Sequence, residues 1–264
     1  MKYRRYLPLL GLALAPLALA QNVAPAQNAA AIAAVTSPWS GSGGELGFAS
    51  AHGNSSTETF NGRLNLRYAE GDWIHALSLF GLRTSADYTR TLADGTTERD
   101  SQTTAFRYSA AASSALQLGE YRQLLASTRY ERDDFATYDR QGSFSIGYGT
   151  RLIDAQRTQL DAQIGPGVRR THEAATDETR TGMIGRTQLD LVHKLTDNTA
   201  LTNKLLVESG SYNTFAQNDL GVTVSMNNHL ALKAGWQARH NSDVAPGKRK
   251  TDTLTTMNVV YTFK

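Results

Sequence analysis

Three histidines lie beside acidic residues in polar stretches of the chain: His52, His172 next to Glu173 and near Asp177, and His240 near Asp243. A histidine set beside a serine or aspartate at the extracellular strand ends would suit a barrel enzyme acting on lipid or peptide at the outer rim. Nothing in their spacing brings the three together, so no residue is assigned a catalytic role and the chain is not expected to be an enzyme. Asp133-Asp134, Asp243 and Asp252 offer oxygen ligands for Ca²⁺, yet no loop carries the spaced Asp/Asn-Gly pattern of a dedicated site. Six scattered histidines and no cysteine give no zinc signature, and no glycine-rich phosphate loop leads from a strand into a helix. Neither a metal nor a cofactor is expected.

A second group of charged residues is spaced regularly. Arg63, Arg67, Arg107, Arg151, Asp161, Arg169, Arg186, Asp190 and Lys233 each sit in a segment where apolar and polar residues alternate, and each takes the polar parity. Arg129 and Lys204 do the same, and Arg83 or Arg239 extends the set. Residues of this kind suit an interior, where they either line a water-filled lumen or pair across it. The acidic residues on the same parity are Glu45, Asp161, Asp190, Glu208, Asp219 and Asp252, fewer than the basic ones. Acids are thus expected to gather in loops, as at Asp133, Asp134, Glu173, Asp177 and Glu178, and an open lumen would favour small anions. If the acids bridge the arginines instead, the lumen would barely conduct.

The elements that carry these residues read as strands. In Thr59 to Tyr68, Phe60, Leu64, Leu66 and Tyr68 alternate with Asn61, Arg63, Asn65 and Arg67, a period of two that no helix presents. The same period recurs around Phe144–Leu152, Leu160–Arg169, Leu220–Met226, Leu230–Arg239 and Met257–Phe263. Weaker segments raise the total to about twelve strands of roughly ten residues or a little more, the length that crosses a membrane when tilted. Short turns at 69–72, 119–120, 154–157, 196–198 and 227–228 alternate with longer polar stretches, the longest being Asp87 to Asp100. A secreted β-sandwich alternates too. The confinement of strand-interior charges to one parity, and the aromatics near strand ends (Tyr68, Trp73, Tyr88, Tyr121, Tyr130, Tyr138, Trp236), favour a barrel with a lipid-facing wall. The fold class is therefore all-β: a transmembrane antiparallel up-and-down β-barrel of about 12 strands.

Length and charge fit this reading. The 264 residues are 40% hydrophobic and 19% charged, and the mean hydropathy of −0.40 leaves no room for a bundle of membrane helices. Residues 1–20 read as a signal peptide: Lys2, Arg4 and Arg5, an apolar run from Leu7 to Leu19, and Ala18-Leu19-Ala20 as the cleavage site before Gln21. The whole chain has a formal charge of +3, but losing the three leader cations leaves 24 basic against 24 acidic residues. With that balance the case for a nucleic-acid partner disappears. Residues 21–38 form an Ala/Asn/Pro-rich linker, and 39–264 the barrel. The expected location is the outer membrane. The expected partners are its lipid and lipopolysaccharide, whose phosphates Arg90 and Arg99 are placed to meet, the barrel-assembly machinery, and small ions.

Several motifs carry a resemblance that spans about residues 39–264. Gly44-Glu45-Leu46-Gly47-Phe48 followed by Gly53-Asn54-Ser55, then Gly71-Asp72-Trp73, Gly165-Pro166-Gly167, Lys250-Thr251-Asp252-Thr253 and Val260-Tyr261-Thr262-Phe263 occur in an order and spacing that resembles the salt-induced outer-membrane proteins, a family of unknown function (domain of unknown function 481). The resemblance implies an outer-membrane barrel, structural or a narrow porin-like pore, with a salt-stress connection in the family's label. It brings no agreed catalytic residues. Lys264 after Phe263 departs from the terminal aromatic usual in such barrels.

Overall fold

The computed structural model describes residues 37–51, 56–91 and 97–263. The proposed leader, most of the linker and His52 lie outside the described residues, as do the side chains of Arg90 and Arg99. The alternating segments form twelve strands: β1 (Gly43–Ala51), β2 (Ser56–Glu70), β3 (Trp73–Thr91), β4 (Thr97–Gln117), β5 (Arg122–Asp133), β6 (Tyr138–Asp154), β7 (Thr158–Glu173), β8 (Glu178–Lys194), β9 (Thr199–Gly210), β10 (Thr214–Ser225), β11 (Leu230–Asn241) and β12 (Thr251–Thr262). Each pairs antiparallel with its sequence neighbour and β1 pairs with β12, so the sheet closes on itself. A closed sheet has no edge, which is the condition for a β-structure to stand in lipid. It also rules out the sandwich.

The period of two sorts side chains onto two walls. Leu46, Phe48, Ile146, Ile164, Met183 and Met257 are exposed on the outside, Met257 to 72%. Glu45, Arg151, Arg169 and Glu208 face inward, the last two with no exposed surface. An apolar exterior around a polar interior inverts the arrangement of a soluble protein and matches a hydrocarbon surrounding.

The strands run longer than the sequence suggests, from 9 residues in β1 to 21 in β4. The polar stretch Asp87 to Asp100 is not simply a loop: β3 continues to Thr91 and β4 restarts at Thr97, with Thr89 registered against Arg99. Thr171 to Thr179 likewise stays paired up to Glu173↔Glu178. These extensions are polar on both faces, so the backbone ladder continues where the side-chain period stops. As a result, the connections 134–137, 174–177 and 211–213 are as short as the turns at the end that carries the termini, and 242–250 is the longest described one. The expected contrast between short turns and long loops is weak.

Two seams are distinctive. Between β1 and β12 the registered pairs are Gly43–Leu46 against Val259–Thr262, four pairs, where β2 and β3 share fifteen. Between β6 and β7 the ladder is interrupted at Gly165-Pro166, opposite Ile146 and Gly147, and resumes at Gly167. Pro166 brings no N–H to the ladder and faces outward. The two flanking glycines let the backbones close in: a Cβ on Gly165 would stand 2.0 Å from the Ile146 carbonyl oxygen, and one on Gly167 2.5 Å from that of Phe144. Gly165→Ala is therefore expected to destabilise the barrel by about 1–3 kcal/mol, the usual range for overpacking. The check is the urea midpoint of protein refolded into lipid vesicles; an unchanged midpoint would mean the strands can part there without loss.

Candidate functional site: a bridged interior

The interior near the loop end is filled by ion pairs that cross between distant strands. Glu208 on β9 is the hub. Its carboxylate accepts from Ser143 Oγ of β6 at 2.8 Å and from the Arg129 guanidinium of β5 at 3.4 Å. It also lies 3.6 Å from Arg186 of β8 and 3.8 Å from Arg169 of β7. Arg169 donates to the Glu208 main-chain carbonyl at 3.1 Å and to that of Asn213. Arg129 also meets Glu131 at 3.2 Å, and Arg239 from β11 reaches across to Glu131 and, at 3.0 Å, to Asp133. Arg107 of β4 donates to Gln237 of β11 at 2.6 Å. The Phe215 ring sits under this net, 4.4 Å from the Arg129 guanidinium carbon and 5.6 Å from that of Arg239. Charge-assisted, multiply donated bonds of this kind are strong and geometrically exacting, which suits guanidinium rather than ammonium donors.

Above the net lies the 242–250 connection. The Ser242 amide donates to the Thr214 carbonyl, the Thr214 amide donates to Ser242 Oγ at 2.8 Å, and Asn213 Oδ1 accepts from the Asp243 amide at 3.1 Å. The Tyr138 hydroxyl donates to Asp243 at 3.3 Å, the Ala245 amide donates to Thr137 Oγ1, and Lys248 Nζ donates to the Phe135 carbonyl. One loop is thus tied to the β5–β6 and β9–β10 connections over the loop-end mouth.

Toward the end that carries the termini the lumen holds a small cavity of about 70 Å³. Lys233 meets Glu45 at 2.7 Å and Arg151 meets Asp161 at 2.8 Å, while Lys204 stands 3.9 Å from Asp190. Arg63 lies over the Phe80 ring, 5.0 Å from its centroid. Arg67, at the rim, donates to the Ser40 carbonyl at 3.3 Å.

Arg63, Arg67, Arg107, Arg151, Asp161, Arg169, Arg186, Asp190 and Lys233 thus all stand on the interior wall, grouped into the net, the cavity and the rim. Three expectations need correction. Arg83 is exposed on the outer wall opposite Phe106, so of the alternatives Arg83 and Arg239 the second is interior. Asp133 is an interior carboxylate and not a loop acid, because β5 runs on to it, and Glu131, only 4% exposed and left out of the interior acids, is interior as well; both share the parity of Arg129. Tyr138, only 3% exposed, points inward instead of joining an aromatic girdle. Sequence reading passed over Asn213, Phe215 and Tyr138 as interior groups. Phe215 had a signal, since it shares parity with Asp219 on β10. Asn213 had none, because a loop position carries no period.

The histidines are dispersed. His172 bridges Asp139, at 2.5 Å from Nδ1, and Asp177, at 3.0 Å from Nε2, and His240 meets Thr251 Oγ1 at 2.9 Å. Among the described residues, no group of three His, Asp or Glu side chains is placed to hold a metal.

A sequence profile for DUF481, a protein family of unknown function, matches residues 44–263. The chain belongs to the DUF481 family. The uncharacterized protein YdiY of Escherichia coli (strain K12) is 25% identical over 218 residues, covering 79% of this chain and 85% of that one. Among solved structures, the translocator domain of the autotransporter NalP from Neisseria meningitidis is similar with a TM-score of 0.46 and 13% identity, covering 84% of this DUF481 protein and 87% of that chain. KdgM porin has a TM-score of 0.44 with 10% identity, over 84% and 99%. The closure of the sheet, and not these likenesses, establishes the barrel in this DUF481 protein.

Proposed function

We propose that this protein is an outer-membrane β-barrel that forms a narrow pore held shut by its own interior, not a constitutive diffusion channel. The observation that carries this is Glu208, a single buried carboxylate facing guanidinium groups from three other strands. Twelve strands place the radius between eight-stranded barrels, which side chains fill, and those of 16–18 strands, which hold an aqueous channel. At that radius long arginines meet carboxylates across the lumen. The apolar outer wall supports contact with membrane lipid, lipopolysaccharide included. Insertion by the barrel-assembly machinery and a cleaved leader ending at Ala20 complete the proposal, and membrane fractionation with intact mass checks both.

Interior carboxylates at Glu131 and Asp133 join Glu45, Glu208 and Asp219, so the cationic excess read from the sequence is largely offset. Refolded wild-type protein in a planar bilayer is expected to show only rare, small conductance steps. The double variant Arg129→Ala with Arg239→Ala is expected to raise open-state occupancy severalfold, with at most weak ion selectivity. A steady wild-type current on the scale of an open porin would refute the shut-pore reading.

A further inference from the structure

We propose that the outer wall of β5–β7, at its loop end, is a binding site for a membrane lipid whose headgroup carries phosphate monoesters. The inference rests on the outer-membrane reading and adds to it a place on the wall and a headgroup chemistry. Three arginines from three adjacent strands point outward there. Arg132 stands between Glu131 and Asp133, Arg140 beside Gln141, and Arg170 between Arg169 and Thr171, and all of these neighbours are turned inward. Arg132 is registered against Arg140, and Arg170 against Gly142, the next outward position of β6. Such positions lie about 5 Å apart across a sheet and about 7 Å along it, so three long side chains can converge on one headgroup. Gly142 leaves the wall between them open, since a Cβ there would have no atom nearer than 3.9 Å. An even interfacial belt would not gather three cations on neighbouring strands. Arg83, by contrast, stands alone on the same wall, registered between Phe60 and Phe106.

Lys248 adds a fourth cation at the rim, because its Nζ donates to the Phe135 carbonyl in the connection from β5 to β6. Among the described residues, neither Arg170 nor Lys248 has a carboxylate within 4.0 Å. Arg132 meets Asp134 at 2.7 Å and Arg140 meets Asp139 at 3.3 Å, but both pairs are exposed, and exposed pairs hold weakly. A phosphate monoester, with more charge and room for paired guanidinium N–H bonds, is the stronger partner. His172 is already taken by Asp139 and Asp177 and is not counted. From the arginines toward the terminal end the same wall turns apolar. Phe144, Val168 and Met183 form one registered outward row, with Ile146 and Ile164 exposed beyond it. Acyl chains hanging from a headgroup held by the arginines would lie along this track. Cations at one level and an apolar wall next to it fit an anionic lipid better than a soluble anion.

Native mass spectrometry of the refolded full chain in detergent micelles tests this, with phosphorylated lipid A, the same lipid A stripped of phosphate, and phosphatidylcholine as probes. The phosphorylated lipid is expected to bind about tenfold more tightly than the other two, and Arg140→Gln with Arg170→Gln to remove most of that preference. Arg83→Gln should bind as the wild type does, and millimolar inorganic phosphate should not displace the lipid. Equal binding of the phosphate-free lipid would mean a wall that holds acyl chains alone and would overturn the proposal. So would an undiminished preference in the double variant, an equal loss in Arg83→Gln, or displacement by inorganic phosphate, which would mark a site for a free anion. If the double variant fails to refold, Arg170→Gln replaces it, since that side chain has no ion pair to lose. Membrane fractionation tests the outer-membrane reading separately. A soluble product would sink that reading, whereas a membrane-borne barrel indifferent to phosphate would sink this site alone.

Discussion

Glu208→Ala is expected to destabilise the folded barrel by about 3–5 kcal/mol, the cost of leaving buried charge uncompensated. The carboxylate is fully buried and faces Arg129, Arg169 and Arg186. Arg129 retains Glu131, and Arg169 retains main-chain carbonyls, whereas Arg186 keeps only Gln188 and thus loses its ionic partner. Urea unfolding in lipid vesicles measures the loss. A stabilised or unaffected Glu208→Ala variant would show that the guanidinium groups reach water without it, and the hub assignment would fall. Glu208→Gln keeps the volume and the Ser143 bond, so it separates charge from packing. Most of the loss is expected to persist in it.

Ile146→Arg is expected to cost about 2–4 kcal/mol, as is Met257→Arg, because each places a cation against hydrocarbon near mid-strand. Both side chains are on the outer wall, 57% and 72% exposed. The informative control is the adjacent residue on the opposite wall. Thr256→Lys turns its charge into the polar lumen and should fold within about 1 kcal/mol of wild type. Gly147, next to Ile146, does not serve that purpose. A Cβ there would stand 3.0 Å from the Ile164 carbonyl oxygen, so even Gly147→Ser strains the seam. Equal damage from Thr256→Lys and Met257→Arg would mean that the two walls are assigned wrongly.

How far the sequence could be read follows from where side-chain period exists. Strands such as β6, β10 and β12 separate apolar from polar residues over most of their length, with exceptions such as Phe215 and Val260, and parity alone assigns Arg151, Asp219 and Asn258 to the interior. In β5 beyond Tyr130 the period is lost, because Glu131, Arg132, Asp133 and Asp134 put charge on both faces. Parity is unreadable there, although the ladder continues. The same limit hid the strand ends around Thr91 and Thr97. The partner of each charge was beyond reach altogether. Arg239 finds Glu131 across 108 residues of sequence through barrel curvature, which no local spacing encodes.

The four-pair seam between β1 and β12 bears on the order of events during folding. Every other pair of strands is joined through a short connection, so its closure entropy is small and its hairpin forms locally. The β1–β12 pairing joins residues about as far apart as the folded region allows, Gly43 and Thr262, and gains only four registered pairs for that closure. It is the step with the most to lose in chain entropy and the least local return. A nearly complete, still open sheet is therefore the natural species before closure. Substitutions at Gly43–Leu46 or Val259–Thr262 should slow the appearance of the heat-resistant form more than they alter its final stability.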